Sequence, residues 1–199
     1  MKIKYSIAEL LAISSLNAQV VSLDAISVTA TKIATATKDV SQSIAVVDSK
    51  TIEDKNILDI QQAIENIPGV NAESSTNSPS PRLIIRGAGL KARYGVREIM
   101  VMKDGVPMTD PDSFTRFDFM DMQDVESVEV QKGPGSINAS NAAGGVIQLV
   151  TKSVFHDDTN RFKIGVGDDG QKNLNLKVRD ALGENDFVSA TISHREIDN

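Results

Sequence analysis

Two glycine-rich steps are the first places where the chain could do chemistry. Gly87-Ala88-Gly89 and Gly133-Pro134-Gly135 look like loops whose backbone N–H groups cradle phosphate. Neither runs on into Gly-Lys-Ser/Thr, and Pro134 removes a donor that such a cradle would use. Asp110 and Asp112 suggest calcium, but the glycine and the later glutamate of a calcium loop are missing. His156 and His194 stand apart from each other and from acidic partners, and read as surface histidines. Glu126 and Glu129 alternate with Val128 and Val130, so they read as solvated or arginine-paired carboxylates on a strand rather than a general acid and base. No serine has an obvious base. With no cysteine in the chain, disulfides, thiol catalysis and cysteine-ligated metals drop out. The expectation is a binding protein with no catalytic residue, no metal and no cofactor.

The elements that position the glycines read as a small sheet with tight corners. Leu83 to Ile85, Ile99 to Met102, Val125 to Val130 and Val146 to Val150 are short apolar runs, and Gln42 to Val47 reads as an earlier strand. Asp104-Gly105 lies between such runs and predicts a hairpin turn in which both residues take positive φ. Ser49 or Thr51 is expected to start a short helical turn. Asp59 and Gln62 form a capping pair before a helix whose buried face is Ile57, Ile60, Ala63, Ile64 and Ile67, and Pro68-Gly69 ends it. Asn71 to Pro81, rich in Ser, Asn and Pro, reads as an exposed loop, as do Ala88 to Arg97 and Met108 to Phe119.

Composition narrows the class. The chain has 199 residues, 40% of them hydrophobic, enough for one real core, and a net charge of −6 with no concentrated basic face, which argues against nucleic acid as a partner. Lys2 and Lys4 precede an apolar run from Ile7 to Leu16, and Leu16-Asn17-Ala18 is a small-residue cleavage site, so residues 1–18 read as a signal peptide. Glu9 interrupts the run and leaves a buried amphipathic helix as the alternative. Beyond it, Leu23-Asp24-Ala25-Ile26-Ser27-Val28-Thr29-Ala30 has the two-residue period of a strand with no visible partner nearby. On composition it is either an idle linker or a strand available to a foreign sheet edge.

Ile85-Arg86-Gly87, Met102-Lys103-Asp104-Gly105-Val106-Pro107, Val128 to Ser136 and Gly144-Gly145-Val146-Ile147, in that order, resemble the plug domain of TonB-dependent outer-membrane receptors over about residues 23–152. Asn138-Ala139 and Gln148 depart from the family's usual Tyr-Gly and Asn, which bears on subfamily. The resemblance implies an α+β fold: a plug of small mixed sheet and short helices, followed by the first antiparallel strands of an incomplete transmembrane β-barrel. It implies a flexible segment over 19–37, a plug over 38–152 and barrel from 153. Leu23 to Ala30 is similar to the Ton box, which the periplasmic domain of TonB engages. Arg93, Tyr94 and Phe114 would contact an extracellular ligand, most often a ferric chelate, with haem or cobalamin as alternatives.

The tail fits that expectation. Phe162, Ile164 and Val166 alternate with Arg161, Lys163 and Gly165; Leu174, Leu176 and Val178 alternate with Asn173, Asn175 and Lys177; Val188, Ala190 and Ile192 continue the pattern. One face suits outer-membrane lipid and the other a polar lumen. Plugged transporters have about 22 strands, and roughly 40 residues hold some three. The expectation is therefore the front part of a receptor, whose remaining β-barrel is its own or separately encoded. The competing expectation is a self-contained secreted periplasmic α+β binding module, in which residues 159–199 close a soluble sheet.

Overall fold

The computed structural model describes residues 27–28, 35–36, 42–75, 78–91, 96–109, 115, 117, 120–134, 141–153, 160–167, 170–183 and 186–196. Its centre is a five-stranded sheet of β3 (Ser43–Asp48), β8 (Val125–Lys132), β9 (Gly145–Thr151), β6 (Ile99–Lys103) and β7 (Val106–Pro107), in that spatial order. β6 and β9 run parallel, and the other neighbours are antiparallel. One face of this sheet carries Val101, Val128, Val130, Ile147 and Leu149, which bury against Ile52, Ile60, Ile64, Leu83 and Ile85. Isoleucines at helical spacing and valines at strand spacing thus meet in one core, as their periods require.

Two short helices close that core. α1 (Ser49–Asp54) starts at Asp48, whose carboxylate accepts the Thr51 N–H at 2.8 Å. The cap is Asp48 rather than Ser49 or Thr51 because the strand delivers Asp48 in an extended conformation, which an N-cap needs. Its bond from Thr51 holds the Asp48 carboxyl below its ordinary value near 3.8. α2 (Ile60–Ile64) is capped by Asp59, which accepts the Gln62 N–H at 2.8 Å, while Gln62 Oε1 accepts the Leu58 N–H at 2.8 Å. Ile57 and Ile67 lie outside the five-residue helix yet are buried with its inner face.

The stretch 71–81 is not a loop. β4 (Val70–Ser75) and β5 (Ser78–Ile85) form a two-stranded antiparallel hairpin in which Glu73 pairs with Arg82 across the strands. Pro79 and Pro81 belong to β5, which has no second neighbour among the described residues, so their missing N–H groups are tolerated. Leu83 and Ile85 turn inward and tie the hairpin to the core, while Ile84 between them is buried outside that cluster.

The Asp104-Gly105 corner forms as expected, with φ of 49° and 80°, and joins β6 to β7. Asp104 does more than turn the chain. Its carboxylate accepts the Thr151 N–H and the Thr151 hydroxyl, both at 2.8 Å, pinning the corner to the end of β9. Gly144 serves a different need, close approach: a Cβ there would stand 2.1 Å from Ala88 Cβ.

Residues 161–196 make a separate antiparallel sheet of β10 (Arg161–Val166), β11 (Lys172–Ala181) and β12 (Phe187–Glu196). It is not hydrogen-bonded to the five-stranded sheet. At the other end of the chain, β1 (Ser27–Val28) pairs with β2 (Thr35–Ala36), so the segment expected to lack a partner in its own neighbourhood has one there.

Two substitutions separate space from backbone strain. Gly144→Ala should destabilise the chain by about 1–3 kcal/mol through overpacking, and Gly105→Ala, which meets nothing within 4 Å, by about 1 kcal/mol through its positive φ alone. Denaturant titration of the two variants checks the order. Asp48→Ala should cost about 1 kcal/mol at neutral pH. Because the folded pKa is depressed, that stabilisation is present above the ordinary value and lost as pH falls through the folded one, so the two chains should converge below about pH 3.8.

Candidate functional site

Strict alternation divides the β10–β12 sheet into two unlike faces. Phe162, Ile164, Leu174, Leu176, Val178, Val188 and Ile192 project outward, with Phe162 at 66% and Ile192 at 65% exposed. On the opposite face Asn175 is 2% and Lys177 4% exposed, although neither is apolar. A polar face can be buried that deeply when its groups find partners, and the central sheet's domain supplies them.

The partners come from the turn before β8, the helix-capping segments and the end of β9. Arg161 donates to the Gln123 carbonyl at 2.8 Å, approaches the Asp124 carboxylate at 3.4 Å, and gives Nε to Asn175 Oδ1 at 3.2 Å. Lys163 donates to Gln123 Oε1 at 3.1 Å, Asn175 donates to the Asp121 carboxylate at 3.0 Å, and Thr191 donates to Asp124 at 3.2 Å. Farther along, Arg195 donates to the Leu58 carbonyl at 3.1 Å. Lys152 donates to Glu53 at 2.5 Å and its N–H to the Asp124 carbonyl at 2.8 Å, so the last residues of the inner domain join the same network.

Asp121 and Asp124 are placed by a 3-10 turn, Met122–Asp124, whose N-cap is Asp121 itself. Met122 is buried in the core and Gln123 holds the Ile57 carbonyl at 3.1 Å, so the acidic turn is rigidly mounted. The seam is an acidic inner surface of Glu53, Asp59, Asp121 and Asp124 against a basic wall of Arg161, Lys163 and Arg195. Electrostatic complementarity of this kind fixes orientation and register. An open cavity of about 400 Å³ lies along it, lined by Leu58, Met120, Asp121, Asn173, Ser193 and Arg195 among others.

The glycine joints converge on a second place. The Gly144 N–H donates to the Glu98 carbonyl at 2.6 Å, the Gly133 N–H to the Gly144 carbonyl at 3.0 Å, and the Gly89 N–H to the Glu98 carboxylate at 3.1 Å. Arg86 reaches the Lys132 carbonyl at 3.2 Å. Arg86 and Glu98 both hold positive φ, 49° and 66°, which these bonds enforce. Three stretches far apart in sequence thus form one knot.

Of the residues singled out for binding, Ser27 and Val28 lie in β1. Leu23, Asp24, Ala25, Ile26, Thr29, Ala30, Arg93, Tyr94 and Phe114 fall outside the described residues. Glu126 is exposed, but Glu129 is 1% exposed and so is not a solvated carboxylate. His194 is on the surface, beside the cavity. The wall half of the seam was visible in the alternation of the tail. Its acidic half was not, because Glu53, Asp121 and Asp124 occupy a helix end and a turn with no period to mark them.

The family model for the TonB-dependent receptor plug domain matches residues 36–146. The vitamin B12 transporter BtuB of Vibrio vulnificus is 28% identical over 173 residues, covering 85% of this chain and 28% of the transporter. The rhizobactin receptor of Rhizobium meliloti is 30% identical over 168 residues, covering 82% of this chain and 20% of the receptor. The pyoverdine outer-membrane receptor FpvA of Pseudomonas aeruginosa superposes with a TM-score of 0.66 at 20% identity, over 86% of this chain and 24% of that one. The chain therefore spans between about a sixth and three-tenths of the length of the curated relatives it matches.

The Arg161–Asp124 contact should show measurable coupling. Single and double alanine variants, compared by denaturant titration of the full chain, should give a coupling energy of roughly 0.5–1 kcal/mol, since the pair is only partly shielded from water. Additive effects would mean that the contact does not hold the seam.

Proposed function

Because the chain belongs to the TonB-dependent receptor plug-domain family, we propose that it forms the gate and first wall strands of an outer-membrane receptor for energised uptake of a scarce nutrient. The observation that carries the proposal is the two-faced sheet: a polar face bonded to the plug and an apolar face turned outward. That division suits a wall between lipid and lumen. No helix among the described residues is long and apolar enough to cross a membrane, and a barrel crosses with strands instead.

The ligand is a ferric siderophore or another iron complex, with cobalamin as the second choice. Rhizobactin, ferrioxamine B and vitamin B12 stand in the names of the relatives, and the iron ligands outnumber the vitamin there. Arg93, Tyr94 and Phe114 are the proposed ligand contacts. The rest of the β-barrel, in the same chain or another, completes the enclosure, because open strand edges cannot face lipid. Transport of this kind requires no covalent chemistry from the chain.

The mechanical input is strand addition. Ser27 and Val28 leave Ala36 and Thr35, with which they pair, and Leu23 to Ala30 adds to the sheet of the periplasmic domain of TonB. Among the described residues the pairing covers two on each side, and a longer ladder can outcompete so short a one. A pull on this segment reaches β3 next, and β3 is an edge strand of the plug sheet.

Deleting Leu23 to Ala30 should abolish binding to the TonB C-terminal domain in a calorimetric titration while leaving the cooperative unfolding of the plug unchanged. Equal affinity of intact and deleted chains would reject that role. Ile26→Pro alone should weaken the complex, since proline removes a ladder donor; an unaltered dissociation constant would rule out strand addition at that position.

A further inference from the structure

The two ionic ends of the seam differ in kind. At one end Arg161 is held by Gln123, Asp124 and Asn175, with its side chain 16% exposed, and Lys152 is tied to both Glu53 and Asp124. The plug's Lys152 and the wall's Arg161 both lie at this end. At the other end Arg195 meets the Leu58 carbonyl at 3.1 Å and the Asp59 carboxylate at 4.0 Å, with both charged side chains about two-fifths exposed. Breaking a shielded ion pair leaves a stranded charge, whereas water readily replaces an exposed one.

The cavity runs from Leu58, Ser193 and Arg195 toward Gln123 and Asn175, which hold Arg161. Arg195 itself lines it and Arg161 does not, so at the Arg195 end the pairing cation already faces open space. Asn173 Nδ2 adds a second, independent sign. It is buried without a hydrogen-bond partner among the described residues, so the closed seam carries an unsatisfied donor on this side and not at Arg161. Separation at Arg195 would hydrate that donor.

We infer that the plug pivots about the Arg161 end and parts from the wall first at the Arg195 end, making this cavity the point where a passage for a polar solute opens. The inference rests on the receptor reading for its purpose, but its geometry can be tested without partner or ligand. The chain has no native cysteine, so nitroxide pairs can be placed freely. One pair, Glu65→Cys with Glu196→Cys, spans the opening end; the other, Lys50→Cys with Phe162→Cys, spans the pivot. Distances are read by double electron–electron resonance on the full chain in detergent micelles.

Arg195→Ala should lengthen and broaden the first distance and leave the second as it was, and Arg195→Lys should keep the first distance narrow. Arg161→Ala should broaden both. The pivot is overturned if Arg195→Ala leaves the first pair unmoved or disturbs both alike, or if Arg161→Ala spares the second pair. Failure here leaves strand addition by Leu23 to Ala30 standing, and failure of strand addition leaves the pivot standing.

Discussion

A buried polar face must find partners, and that constraint organises this molecule. The period of two in β10–β12 sends Asn173, Asn175 and Lys177 to one side and Leu174, Leu176 and Val178 to the other. If the apolar side faces lipid, the polar side must be satisfied from within, because the hydrocarbon supplies no hydrogen bonds. Asp121, Gln123 and Asp124 on the plug meet that demand. The contacts are ionic and short-sided, and they hold without sealing the seam by hydrophobic packing. Polar contacts that water can replace would let the proposed gate be both retained and moved.

The plug divides its labour in the same spirit. One face of its five-stranded sheet is a dry core of isoleucine, valine and leucine. The other face and the corners are managed by glycines, by Asp104 bonded twice to Thr151, and by the knot around Glu98 and Gly144. Strained residues such as Arg86 and Glu98 persist because several bonds over-determine them. The rigid part of the molecule is thus the plug interior, and its weaker attachments are the terminal pairing of β1 with β2 and the Arg195 end of the seam.

Much of this was legible in the residues, and the gaps have physical reasons. The Asp104-Gly105 corner, the Asp59 cap and the alternating tail follow from local rules, and each formed as those rules require. The hairpin over β4 and β5 was hidden because Pro79 and Pro81 signal a loop, and an edge strand can carry prolines that an inner strand cannot. The cap at Asp48 was hidden because the residue ends a strand, and its extended backbone is what qualifies it. For Glu129 the sequence left solvation and arginine pairing open, and burial removes only solvation, since strand period alone does not reveal that both faces of β8 are covered there. The acidic half of the seam depends on which surfaces tertiary packing brings together, and no local pattern encodes that.

The account stands or falls on which face of β10–β12 meets lipid. Nitroxide labels at Leu176→Cys and Asn175→Cys, adjacent on β11, can be compared by power saturation in outer-membrane vesicles bearing the full chain. The label at 176 should be relaxed by membrane-dissolved oxygen and ignore a water-soluble nickel chelate, while the label at 175 should respond weakly to both. Equal responses at the two positions, or oxygen contact at 175 instead, would contradict a wall whose polar side is turned to the plug.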